Sequence, residues 1–154
     1  MVIVYDNLIL EAVMHVYPRS EDYVIYEGQS FTAEWYYSTE GKMPAFEYYE
    51  SLSKTDQERL DKMIIYFCDL PYGMKTMPIK WYRIEDDVHQ IYALKPRDER
   101  FFNFMSQGAK IIITNAYHKH SQKMTRIDRE QLGIAVRYRQ DYLQRVKEAT
   151  YYAR

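Results

Sequence analysis

The sequence predicts an α+β domain: a helical hairpin packed on a small, mainly antiparallel sheet, with a further helix closing the chain. Three observations carry this reading. Two successive segments, 44–52 and 55–68, place apolar residues at helical spacing. The stretch 91–117 instead holds three short runs rich in aromatic and β-branched residues, with Ser106-Gln107-Gly108 as a hairpin turn between the last two. Helical spacing then returns over 128–146. Helices and strands segregated in this way make an α+β domain rather than an alternating α/β one.

In chain order, residues 1–30 read as an N-terminal extension and 31–154 as the main domain. In the extension, Asp6 or Asn7 caps a short helix through Leu10, Val13, Val16 and Tyr17, which Pro18 stops. A short strand at Tyr23–Tyr26 and a turn at Gly28 follow. The main domain opens on an aromatic, partly alternating strand at Phe31–Ser38. Pro44 suits a first helical residue, because the N–H it lacks has no intrahelical partner there, and the helix runs through Ala45, Phe46, Tyr49 and Leu52. In the second helix Thr55 and Glu58 form a capping box. Leu60, Met63, Ile64, Phe67 and Cys68 share one face, and Pro71 and Gly73 end it. Residues 74–90 read as a loop with an edge strand at Ile79–Ile84. Strands follow at Ile91–Lys95, Arg100–Met105 and Lys110–Tyr117. Asp128 with Gln131 caps the last helix, whose inner face is Leu132, Ala135, Tyr142 and Val146.

A chain of 154 residues with 47% hydrophobic content fits one domain with a core. Its net charge of −1 conceals a segregation. Residues 1–70 hold 5 Lys/Arg against 13 Asp/Glu, and residues 71–154 hold 16 against 9. The basic half implies an anionic partner. The 17 tyrosines are expected mainly as half-buried packing residues, with stacking on bases as the functional alternative. The single cysteine, Cys68, excludes an internal disulfide framework and a Cys-based zinc site, and its setting in MIIYFCDL makes it buried filler. No apolar run is long enough to span a bilayer, and the N-terminus lacks the basic start of a signal peptide. A cytoplasmic location without a membrane partner is therefore expected.

No phosphate-cradling glycine loop and no GxSxG elbow is present. His118 and His120 share a face if the strand continues, but no carboxylate close in sequence completes a metal set. Glu85, Asp86, Asp87, Asp98 and Glu99 read as solvated loop charges. What remains is a group of cations, Lys95, Arg97, Arg100, His118, Lys119, His120, Lys123 and Arg126, beside Tyr117. RNA cleavage by 2′-hydroxyl attack requires a base, an acid and cations that stabilise charge on the transition state. Arginine suits the last task through its planar fork, and histidine titrates near neutrality. Each residue also has a plain reading. Lys119, Lys123 and Arg126 solubilise a loop, either histidine bonds to backbone, and Arg97 with Asp98 makes a surface ion pair of little energy. Tyr117 either stacks on a base or packs in the core. Arg100 begins an otherwise apolar strand, so its charge must face water or an anion.

Several of these runs together resemble the RelE/HigB superfamily of bacterial type II toxins, in particular its phage-derived HigB-like branch. They are Leu94-Lys95, Arg100-Phe101-Phe102-Asn103-Phe104, Ile111 to Tyr117, the basic turn His118 to Lys123, and Ala135 with Asp141-Tyr142-Leu143. The resemblance covers roughly residues 31–147. Asn115 stands where the family has a histidine, the proline opening the last helix is missing, and residues 1–30 have no counterpart in the short members. The resemblance implies a ribosome-dependent mRNA endoribonuclease acting without metal or other cofactor. It also implies a cognate antitoxin, often of helix-turn-helix type. Arg100 would stabilise the transition state, with Lys119, His120 and Tyr117 as further catalytic groups. Lys95, Arg97, His118, Lys123 and Arg126 would hold RNA. A second reading keeps the fold without catalysis, as a ParE-like toxin or a prophage-derived protein acting through protein–protein contacts. The acidic N-terminal half and Asn115 favour it. A third is an RNA-binding accessory protein. The first reading requires Arg100, Lys119 and His120 to converge in one concavity.

Overall fold

The computed structural model describes residues 18–71 and 77–152; the helix expected after Asp6 or Asn7 and the stop at Gly73 lie outside them. The elements are α1 (Ser20–Tyr23), β1 (Val24–Glu27), β2 (Thr32–Trp35), α2 (Pro44–Ser51), α3 (Lys54–Asp69), β3 (Tyr82–Asp86), β4 (Ile91–Leu94), β5 (Glu99–Ser106), β6 (Lys110–His118) and α4 (Arg126–Lys147). The strands form one six-stranded sheet in the order β1-β2-β6-β5-β4-β3. β2 and β6 are parallel, and the other pairs are antiparallel. The fold is α+β with a mixed sheet. β1 comes from the expected extension yet is hydrogen-bonded into this sheet.

Helices α2 and α3 cover one face of the sheet and α4 the other, so there are two cores. One gathers Ala33, Trp35, Leu60, Ile64, Phe67, Phe101, Ile111 and Ile113. The second gathers Tyr36, Tyr37, Phe102, Phe104, Ile112, Tyr117, Ala135 and Tyr142. A sheet covered on both faces needs apolar side chains in both directions, which is why β5 and β6 read as near-continuous apolar runs. Cys68 is fully buried, and burial pushes its thiol up to about 12. Among the described residues no helix is long and apolar enough to cross a membrane.

One irregularity places the side chains of the functional face. Phe102 pairs with Asn115 but Asn103 pairs with Ile113, so Thr114 is an extra residue in β6. Its hydroxyl donates to Phe102 O at 3.2 Å. A bulge of this kind shifts the alternation of every residue beyond it. Ile112 faces α4, and without the bulge Thr114, Ala116 and His118 would follow it there. Instead Tyr117 faces α4, and Ala116 packs on the α2–α3 side.

Three sequence expectations are corrected. The N-cap of α3 is Ser53, whose hydroxyl accepts from Asp56 N at 3.2 Å, not the Thr55–Glu58 box. The N-cap of α4 is Thr125, with Asp128 as the reciprocating third residue, not Asp128 with Gln131. Val146 is exposed, and Arg145 takes the inner position instead. Its guanidinium lies 4.6 Å from the Tyr151 ring centroid and 5.1 Å from that of Tyr37, and its Nε donates to Asp141 at 2.9 Å. Apolar spacing cannot find such a residue, because aromatic rings and a carboxylate, not hydrophobicity, make the burial favourable.

Gly28 sets the approach of β1 to the end of α3. A Cβ there would stand 2.5 Å from Cys68 O, an atom fixed by bonds from Ser30 N and Phe31 N at 2.9 and 3.0 Å. Gly28→Ala therefore forces backbone apart and should cost about 1–3 kcal/mol, read as a lower urea midpoint with an unchanged slope.

Candidate anion-binding site

The α4 face of the sheet narrows into a concavity of about 140 Å³ beside the first turn of α4. Phe102 and Tyr117 lie in it, Arg83, Lys95, Arg100 and Lys119 bring positive charge, and Glu85 and Asp128 bring negative charge. Arg100 and Tyr117 are direct partners across β5 and β6, which the bulge makes possible. Gln122, Met124 and Leu132 complete the lining.

Asp128 is buried, 3% exposed, and it is fully engaged. One carboxylate oxygen accepts from Tyr117 OH at 2.5 Å. The other accepts from Lys119 Nζ at 2.8 Å, Thr125 N at 2.7 Å and Thr125 Oγ1 at 2.9 Å. Burial alone would raise its pKa, but the bonds from Lys119, Tyr117 and Thr125 outweigh that and hold it well below the usual carboxylate range. Tyr117 shifts upward, first through burial and then through its bond to Asp128. It therefore stays a protonated donor, and its ring, 5.6 Å from that of Phe102, packs rather than standing open for stacking.

The cations separate into two kinds. Arg83 is paired with Glu85 at 3.3 Å and Lys119 with Asp128 at 2.8 Å. Lys95 and Arg100 have no carboxylate partner among the described residues. Arg100 is aimed by backbone: its Nη1 donates to Arg97 O at 2.7 Å and Glu99 O at 2.9 Å, and its other N–H groups have no partner among the described residues. Burial lowers the pKa of Lys95, and the positive charges of Arg83, Arg100 and Lys119 lower it further against a smaller opposing effect of Glu85. Two uncompensated cations, one a planar fork, fit an anion with several oxygens such as a phosphate diester.

Of the cluster expected from the sequence, Lys95, Arg100, Tyr117 and Lys119 meet in this concavity, and Arg97, His118, His120, Lys123 and Arg126 do not line it. His118 points to the opposite face, where its Nδ1 lies 2.9 Å from Glu99 Oε1. The other Glu99 oxygen accepts from Tyr48 OH. The carboxylate that the sequence did not supply thus comes from the neighbouring strand, and Glu99 is buried rather than solvated. His120 meets His118 ring to ring at 4.6 Å. Lys123 contributes only its carbonyl, 3.3 Å from Lys119 Nζ, and Arg126 makes an exposed pair with Glu130 at 3.4 Å. Arg97 is exposed in a left-handed conformation, φ 59°, and makes no ion pair with Asp98 among the described residues. Arg83, Glu85 and Asp128 were missed. Arg83 fell inside the expected edge strand Ile79–Ile84 and Glu85 was read as a loop charge just past it; the strand runs Tyr82–Asp86, and the alternation in YRIED was its signal. Among the described residues no group of three or more His, Cys, Asp or Glu side chains is placed to hold a metal.

Asp128→Asn removes the charge that Lys119 and the cap share, and should lower stability by about 3 kcal/mol near neutrality. The folded carboxylate is depressed, so its contribution is complete above about pH 4 and fades as pH falls below that. Chemical denaturation of both proteins across pH should show the gap closing in acid.

Comparison with protein-family models and with curated proteins finds no match for this chain.

Proposed function

We propose that the concavity binds the phosphate backbone of RNA, and that the protein is a toxin of the RelE/HigB kind that cleaves ribosome-bound mRNA and is neutralised by a cognate antitoxin. The observation that carries this reading is the pair Lys95 and Arg100, two converging cations without a carboxylate partner among the described residues, beside a third held by Asp128. Strands, the helical hairpin, further strands and the last helix also follow one another in the order read from the sequence.

The chemistry follows from the side chains. The open N–H groups of Arg100 grip the non-bridging oxygens and stabilise the charge that grows as the 2′-oxygen attacks phosphorus. Lys95, with its pKa lowered, takes the 2′-hydroxyl proton. Lys119 spends donors on Asp128 and the Lys123 carbonyl, and its remaining N–H supplies a proton to the departing 5′-oxygen. The P–O5′ bond breaks as the P–O2′ bond forms. Tyr117 holds Asp128, and through it Lys119, in place.

A second reading, RNA or protein binding without cleavage, draws on one observation: His120, which the first reading requires beside Arg100 and Lys119, does not line the concavity, and neither does any other histidine among the described residues. One set of variants separates the two. With ribosomes and mRNA, Arg100→Ala should lower the cleavage rate by about 10²–10³. Lys95→Arg keeps the charge but has no accessible neutral form, so it should retain RNA binding and lose cleavage by about 10²–10⁴. In the wild type the cleavage rate should rise with pH to a plateau reached below the ordinary lysine range, near 10.4. Wild-type protein that binds RNA through Arg100 but yields no mapped cuts decides for the binding reading. Unchanged binding and cleavage in both variants overturns the site.

A further inference from the structure

We infer that a second groove, on the α3 side of the turn between β4 and β5, holds an unpaired base of a single-stranded polynucleotide in the corner formed by Trp81 and Tyr66. This inference rests on the RNA reading above and adds a base subsite to its phosphate site. The groove encloses about 530 Å³, within the range of small-ligand pockets. Lys95 lines both concavities, so the two are contiguous at its side chain.

Charge and shape both select the occupant. Arg59, Lys62, Lys80 and Arg97 join Lys95 around the groove, and no Asp or Glu among the described residues lines it. Arg59 is paired with Asp56 at 2.7 Å, but Lys62, Lys80 and Arg97 have no carboxylate partner among the described residues. Tyr66 is 43% exposed, which is unusual for an aromatic ring on a core-packed helix. Its ring meets that of Trp81 edge to face, with centroids 5.8 Å apart and planes at 84°. Such a corner lets a planar base lie flat on one ring while its edge meets the other. Trp81 also keeps its indole N–H without a partner among the described residues, a donor for a base or a phosphate. An acidic peptide would use the cations but has no need of the corner. Stacked aromatics inside a cationic groove are how single strands are held without sequence readout.

The test uses the intact protein and the emission of its two tryptophans, of which Trp35 is buried at 4% exposure and gives a constant background. A single-stranded RNA octamer, an abasic octamer and polyglutamate are titrated in turn. The RNA should quench Trp81, and the abasic chain should bind roughly 5- to 150-fold more weakly without quenching. Trp81→Ala should make RNA and abasic chains bind alike, and Trp81→Phe should restore most of the difference. Lys62→Ala should reduce the slope of log K against log salt by about 0.7. Equal binding of RNA and abasic chains, or quenching by polyglutamate as strong as by RNA, overturns the base subsite. Arg100→Ala run in parallel separates the two inferences. If it weakens RNA binding while bases make no difference, only the base subsite falls; if no RNA binds at all, the phosphate reading falls with it.

Discussion

The buried carboxylate of Asp128 determines where one wall of the concavity stands. A desolvated charge is tolerated only when its oxygens are filled, and here a strand tyrosine, a loop lysine and the helix cap fill them. The same group closes the capping box of α4, so the start of the helix and the end of β6 are held by one residue. A negative charge in the first turn also suits the helix dipole. At the far end Arg145 sits among Tyr36, Tyr37 and Tyr151 and pairs with Asp141, which also accepts from Tyr36 OH at 2.5 Å. Both ends of α4 are thus anchored, and Leu132 on the same helix lines the concavity.

A few carboxylates of the acidic first half join elements of the fold. Asp69 accepts from Tyr26 OH at 2.7 Å and from Gln29 N at 3.0 Å, joining α3 to the edge hairpin. Asp61 accepts from Tyr49 OH at 2.8 Å, joining α3 to α2. Glu34 lies buried between Lys110 and Tyr152. Of these only Glu34 is buried; Asp61 and Asp69 are half-buried, and Glu47, Glu50 and Glu58 stay exposed. A charge sum over sequence counts Glu34 at full strength, although it is buried beside Lys110.

How far the sequence reveals the fold depends on the kind of signal. The faces of α2 and α3 were legible because burial there follows apolar spacing, as Leu60, Met63, Ile64 and Phe67 show. Strands β4, β5 and β6 were legible because strands covered on both faces are apolar throughout. Caps were found to within a few residues but assigned to the wrong groups, since several Ser, Thr and Asp residues compete near each start. In the site, Lys95, Arg100, Tyr117 and Lys119 were legible as charges and a ring at strand ends. The histidines were misplaced because a bulge at Thr114 leaves no mark in composition or period. Arg83 lay in the expected edge strand but was not singled out as a cation of the site, Glu85 was read as a solvated loop charge, and Asp128 was seen as a cap but not as the group that collects Tyr117 and Lys119.

Arg97 turns through a left-handed conformation that costs a non-glycine residue on the order of 1 kcal/mol. That turn aims its carbonyl, with that of Glu99, at the Arg100 guanidinium. Arginines in proteins are commonly oriented by carboxylates, which fix direction but cancel charge. A neutral carbonyl gives orientation while the full unit of charge survives. The strained corner thus orients Arg100 while leaving its charge without an ion pair among the described residues, a combination that a salt bridge in the same place would deny it.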